Sequence, residues 1–289
     1  MSGSIRRSLA FSIIDRYASI ALSFAMTIIL ARLLTPKDFG IFSIAMSFVI
    51  LANAFRDFGT GSYLLQAKHV TDERLQAAFT AVLATSALCG FALLLGTPAI
   101  VALYGDTQFW QLMPLFALNL MLGPFSIPGM ILLQRNLSFD TLAGISLLTN
   151  VVNLIVVVVL ASLGYGVMSL AWATLATSAV RIITIWIVNP CFRAFRITLR
   201  GWRDPFEFGA VSTATVILNM VYEYLPQLII GRSIGLAAAG LFGRATSLCQ
   251  LPDRLVISAL HPVLLPALAR QRHAGADLKP SYLLALSHM

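Results

Sequence analysis

The chain has 289 residues, of which 58% are hydrophobic and 11% charged, with a formal net charge of +8. Its mean hydropathy is +0.84 and its pI about 9.9. Soluble domains carry roughly 25% charged residues, so an ordinary soluble enzyme and a disordered chain are excluded. A nucleic-acid binder clusters its cations on a hydrophilic face, whereas here they punctuate long apolar runs. The composition predicts an all-α polytopic membrane protein.

Crossing the hydrocarbon takes about 20 mostly apolar residues. Eight segments meet or approach this: 11–33, 38–56, 76–103, 110–133, 140–163, 166–189, 206–231 and 236–268. Arg6 and Arg7 precede the first, as in a signal peptide, but Asp15 and Arg16 interrupt it and no small-residue cleavage site follows. It reads as an uncleaved helix. The fourth contains Gly123-Pro124 and Pro128-Gly129, which predict a kink. Leu163 to Gly166 is a tight antiparallel connection. Strict alternation is absent, which argues against a β-barrel.

Lys and Arg concentrate on the cytoplasmic side. With the N-terminus inside, thirteen fall on the inner side, among them Arg56, Arg135 and the arginines between Cys191 and Pro205. Three (Arg32, Lys37 and Arg232) fall outside. The predicted placement is the bacterial inner membrane, multi-pass, with both ends cytoplasmic. The 191–205 arginines read as an anchor for anionic headgroups. Cys89, Cys191 and Cys249 lack metal-ligand spacing and read as unpaired thiols.

Ile28–Ser47 aligns without gaps on Leu228–Ser247. Ile29, Arg32, Gly40, Phe42, Ala45 and Ser47 recur as Ile229, Arg232, Gly240, Phe242, Ala245 and Ser247. Six helices separate the copies, an even number, so both share one orientation. That is a parallel repeat about an axis along the membrane normal. It predicts a six-helix N-terminal lobe over 1–190 and the first two helices of a pseudo-symmetric second lobe over 191–289. By that yardstick the second lobe is unfinished, and the chain reads as a C-terminally truncated transporter.

Ala31-Arg32-Leu33-Leu34-Thr35-Pro36 followed by Asp38-Phe39-Gly40 resembles the first loop of lipid-linked oligosaccharide (O-antigen) flippases, in the multidrug/oligosaccharidyl-lipid/polysaccharide exporter superfamily. Phe55 to Gly61, Ile229 to Arg232, Gly240-Leu241-Phe242 and Pro262 to Leu268 resemble the same family. The resemblance implies two six-helix lobes in a V. It implies movement of undecaprenyl-pyrophosphate-linked oligosaccharide from the cytoplasmic to the periplasmic leaflet by alternating access. Many relatives carry an acidic residue near the end of span seven, about where Pro226 stands; Glu223 lies one turn earlier. Lipid-linked oligosaccharide and membrane lipids are the implied partners, with a polysaccharide polymerase and chain-length proteins beside them and no nucleic acid.

Ionisable residues within spans cost roughly 2.5–3.5 kcal/mol on insertion scales and are functional candidates by default. Guanidinium stays charged and grips phosphate oxygens in pairs, so Arg181 and Arg244 are the candidate headgroup ligands. An ion pair between Arg181 and Glu223 is the structural alternative. Glu223 is also the candidate for proton or cation coupling. Asp15, Arg16, Asp253 and Arg254 are candidate inner-gate charges, or local pairs near helix ends. Arg32 and Arg232 read as caps and interfacial anchors. No Ser/His/Asp arrangement, metal-ligand spacing or phosphate loop is legible. The chain therefore reads as neither an enzyme nor an ATPase, and no cofactor is implied. The competing expectations are a cation-coupled multidrug exporter of the same superfamily, with an acidic and aromatic cavity, and a non-functional gene fragment. A polymerase or ligase would need a large outer loop, and the connection at Gly105-Asp106 is short.

Overall fold

The computed structural model describes residues 21–57, 72–135, 138–190, 195, 198 and 204–250. Among them every regular element is helical. In chain order these are α1 (Ala21–Leu33), α2 (Pro36–Asp57), α3 (Asp72–Tyr104) and α4 (Phe109–Leu122). A 3₁₀ turn, Gly123–Ser126, leads into α5 (Ile127–Arg135). Then come α6 (Phe139–Ser162), α7 (Met168–Val188), α8 (Asp204–Ser233) and α9 (236–250). Five stretches among the described residues are long and apolar enough to cross a membrane: Pro36–Arg56, Leu75–Tyr104, Phe109–Gln134, Asp140–Ser162 and Met168–Val188. They coincide with predicted segments two to six. Segments 11–33 and 236–268 extend beyond the described residues, and 206–231 forms the 30-residue α8. The protein is an all-α, multi-pass membrane protein.

Its turns follow from local chemistry. Thr35 caps α2, and Pro36 occupies the first helical position, where a missing N–H costs nothing. The Thr35 N–H and hydroxyl both donate to Asp38 Oδ2, at 3.0 and 2.7 Å, and the Asp38 N–H donates to Thr35 Oγ1 at 3.2 Å. This is a reciprocal capping box with Asp in the acidic position. Gly105 ends α3 at φ 70°, its N–H bonded to the Val101 carbonyl. That left-handed exit suits glycine. The Asp106 carboxylate then accepts the Gln108 N–H at 2.9 Å and starts α4. The predicted break in span four is the 3₁₀ turn at Gly123-Pro124, and the Trp186 indole N–H donates to the Phe125 carbonyl there at 3.2 Å.

By contacts the chain divides into Met1–Leu241 and Phe242–Met289. In the first unit the core lies among α2, α3, α4 and α7. Ile41, Ile44, Phe109, Leu112, Met113 and Phe116 are fully buried there. On α4 the buried positions recur every three or four residues, which is one helical face. Leu88 and Leu95 on α3 and Ile187 on α7 are strongly exposed, as expected where lipid is the solvent. The tight turns after α1, α3, α6 and α8 gather at one end. Lys37 Nζ reaches Asp106 Oδ2 at 2.7 Å there, and Leu236 abuts Gly40. Arg56 closes α2 at the other end. In the second unit the described residues, 242–250, continue α9 as helix.

Candidate functional site

Helices α2, α4 and α7 enclose a cavity of about 240 Å³ in the first unit. One water needs roughly 10–15 Å³ of such space, so the cavity can hold a hydrated polar group. Its polar lining comes from Asn53 and Arg56 on α2, Asn119 on α4, and Thr174, Ser178 and Arg181 on α7. Each contributing helix turns a regular stripe inward. On α2 it runs Met46, Val49, Asn53, Arg56, and on α7 it runs Thr174, Ser178, Arg181, Ile182. On α2 the spacings are three and four, and on α7 Arg181 and Ile182 lie three and four residues after Ser178, so each set shares one face.

The arginines enter from two sides. Arg56 stands in the last turn of α2 and packs its guanidinium over Gly123, where a Cβ would collide with it. With glycine at 123 the guanidinium lies directly against the start of the 3₁₀ turn. Arg181 lies two turns before the end of α7 and is open to the cavity. Ser178 donates its hydroxyl to Asn119 Oδ1 at 2.7 Å. With its oxygen engaged, Asn119 keeps its NH₂ as a donor. Asn53 donates one N–H to the Val49 carbonyl at 2.9 Å, which holds its amide against α2. Among the described residues, no carboxylate is part of the cavity lining. Two guanidinium groups with amide donors beside them give the described lining hydrogen-bond donors of the kind that pair with anionic oxygens.

Arg181 is thus the residue the sequence singled out that stands in a formed site. Arg56 was legible only as one of many inner-side cations. The signal that reveals it is its place three residues after Asn53 on an otherwise apolar helix face. Glu223 is exposed on α8 and is not part of the cavity lining. Arg244 is half-buried on α9 in the second unit. Arg32 and Arg232 are both exposed. Asp15, Arg16, Asp253 and Arg254 lie outside the described residues. Cys89 is a half-buried free thiol and Cys249 an exposed one, while Cys191 lies outside the described residues.

Away from the cavity, at the turn end, Asp106 is almost wholly buried. Burial pushes its carboxyl pKa up. The Lys37 hydrogen bond, the Gln108 N–H and the Lys37 charge together outweigh that and hold it below its ordinary value.

Fold and site together define a multi-pass helical membrane protein with a cation-lined internal cavity. A solved structure titled as the outward-facing conformation of a multidrug resistance MATE family transporter of the MOP superfamily shares the fold. Its TM-score is 0.51 at 18% identity, over 85% of this chain and 61% of that one. The chain belongs to the polysaccharide biosynthesis protein family, whose profile matches residues 29–289. It is 25% identical over 273 residues to the succinoglycan biosynthesis transport protein ExoT of Rhizobium meliloti (strain 1021), covering 93% of this chain and 55% of that protein. The teichuronic acid biosynthesis protein TuaB of Bacillus subtilis (strain 168) is 22% identical, with coverages of 81% and 49%. The lipopolysaccharide biosynthesis protein WzxC of Escherichia coli (strain K12) is also 22% identical, with coverages of 93% and 55%. The chain spans about half the length of the curated relatives it matches.

Proposed function

We propose that this protein takes part in moving an undecaprenyl-pyrophosphate-linked oligosaccharide across the bacterial inner membrane for surface polysaccharide export. The observation that carries this reading is the Arg56–Arg181 cavity. A pyrophosphate headgroup carries about two negative charges, and guanidinium binds its oxygens bidentately without needing a protonation change. A relative named as a succinoglycan transport protein supports the same direction. The role is transport, not catalysis. Residues 1–190 act as the first lobe, and residues from 191 begin the second, with access alternating between them. The N-terminus is cytoplasmic. Arg244 serves as a further substrate-binding cation and Glu223 as the ion-coupling carboxylate. Asp15, Arg16, Asp253 and Arg254 serve as inner-gate charges. A polysaccharide polymerase and chain-length proteins act downstream.

The test is deletion with complementation. Deletion should leave lipid-linked sugar repeats on the cytoplasmic leaflet, and the wild-type chain should clear them. An Arg56→Ala/Arg181→Ala double variant, expressed and inserted normally, should not. Normal surface polysaccharide after clean deletion, with no redundant homologue, would sink the reading.

A further inference from the structure

Two residues of the connection between α7 and α8, Phe195 and Thr198, are fastened to the helical body. Between ring centres, Phe195 lies 5.2 Å from Phe79 on α3, 6.1 Å from Phe125 in the 3₁₀ turn and 5.4 Å from Trp186 on α7. Phe79 and Phe125 meet edge-on at 5.7 Å. Tilted and edge-to-face rings at such separations attract one another beyond the area they bury. Beside them the Thr198 N–H donates to the Thr80 hydroxyl at 3.0 Å, and that hydroxyl donates to the Gln76 carbonyl at 2.8 Å. Elements far apart in sequence thus build a socket for one ring of the connection.

The socket shares the 3₁₀ turn with the polar cavity. Gly123, Ser126 and Ile127 line the cavity, while Phe125 among them joins the aromatic socket. Inside the turn the Ser126 hydroxyl donates to the Gly123 carbonyl at 2.8 Å, and the Trp186 indole holds the Phe125 carbonyl from α7. A shift of this small, internally bonded turn therefore moves both sites. Both arginines are within its reach: the Arg56 guanidinium lies against Gly123, and Arg181 shares α7 with Trp186. We infer that Phe195 is a positioning residue for the cavity. Seated, it holds Phe125 and with it the wall formed by the turn, so the anion site is tight only while the α7–α8 connection is docked. This rests on the cavity reading above and adds its regulation. The connection leads into α8, which packs against α2 and α3, so a displacement of α8 that withdraws Phe195 loosens the cavity. By linkage, an anion in the cavity favours the docked connection by the same factor.

The experiment measures inorganic pyrophosphate binding by calorimetry on the full chain in detergent, for Phe195→Ala, Phe125→Leu and the two combined. Phe195→Ala should weaken binding about tenfold, inside the roughly 5- to 150-fold span of coupled sites. Phe195→Tyr, which keeps the ring, should restore the affinity of the unaltered chain. Because Phe195 and Phe125 act through one contact, the combined variant should bind no more weakly than the poorer single variant. Saturating pyrophosphate should also change the indole emission of the unaltered chain, and that change should vanish in Phe195→Ala as it does in Trp186→Phe. Unchanged affinity in Phe195→Ala, or single losses that multiply in the combined variant, overturn the positioning role, while Arg181-dependent binding keeps the cavity reading intact. Pyrophosphate binding indifferent to Arg181→Ala overturns both. If Phe195→Ala fails to fold, Phe195→Leu takes its place in the cycle, and an unaltered chain whose emission ignores saturating pyrophosphate overturns the proposal by itself.

Discussion

Arg181 and Arg56 show two ways a cavity-lining cation is written into a membrane sequence. Arg181 stands in the middle of an apolar run, so its insertion cost alone marks it. Arg56 stands at a helix end, where topology already accounts for a positive charge. Only its register with Asn53, and the glycine at 123 that makes room for it, assign it to the cavity. Charge-assisted hydrogen bonds are worth about 1.5–3 kcal/mol each. Arg181→Ala should therefore weaken pyrophosphate binding about 10- to 100-fold, read by calorimetry on the purified chain. Arg181→Lys should fall between, since it keeps the charge and loses the planar fork. Ser178→Ala tests orientation separately. It frees Asn119 Oδ1, and the amide can then turn an acceptor toward the anion, so a smaller loss is expected with both arginines intact. The Asn119–Ser178 pair was not legible beforehand, because each looks like an ordinary polar residue in an apolar helix and only packing brings α4 against α7.

At the scale of the element, the run Leu34-Thr35-Pro36-Lys37-Asp38 does local work that its family resemblance does not explain. Thr35 and Asp38 close the capping box of α2. Thr35→Ala should cost about 1 kcal/mol, visible as a lower midpoint in detergent thermal unfolding. Lys37 ties the same helix start to Asp106 at the head of α4. The folded Asp106 carboxyl lies below its ordinary value, so its contribution is fully present above the unfolded value of about 3.9. It is lost as pH falls through the lower folded value. Thermal midpoints should thus decline on acidification below about pH 4, and Asp106→Asn should remove part of that slope. With Lys37 largely exposed, the effect is modest, on the order of 0.5 kcal/mol. Hydropathy located spans two to six within a few residues, because one apolar run makes one helix. The proline pairs foretold the break between α4 and α5, since a missing N–H and fixed φ act locally.

For the whole molecule, the informative feature is where the two copies of the repeat meet. The alignment pairs Gly40 with Gly240, and the structure sets these two glycines against each other. A Cβ on Gly240 would meet the Gly40 nitrogen at 2.7 Å and collide with the Pro36 carbonyl. A Cβ on Gly40 would collide with the backbone of Leu236. Backbone cannot yield as a side-chain tip can, so Gly240→Ala should destabilise by about 1–3 kcal/mol. Small residues at such crossings let helices approach closely. Deeper along the same seam, Gly231 of α8 faces Ile44 of α2, and the Tyr104 hydroxyl donates to the Leu228 carbonyl at 3.3 Å. The seam therefore joins α2 to α8 at the turn end, while the arginine cavity lies toward the other end of α2. On the alternating-access reading proposed above, such a seam parts once in each cycle. Ile44→Cys with Gly231→Cys places two thiols across it, since a Cβ on Gly231 would lie 3.4 Å from Ile44 Cγ1, within disulfide reach. Oxidation should lock α2 to α8 and stop export of lipid-linked sugars, and reductant should restore it, whereas either single cysteine should respond to neither. Undiminished export with the cross-link fully formed would mean that α2 and α8 move as one body, and that the cavity opens by some motion other than parting this seam.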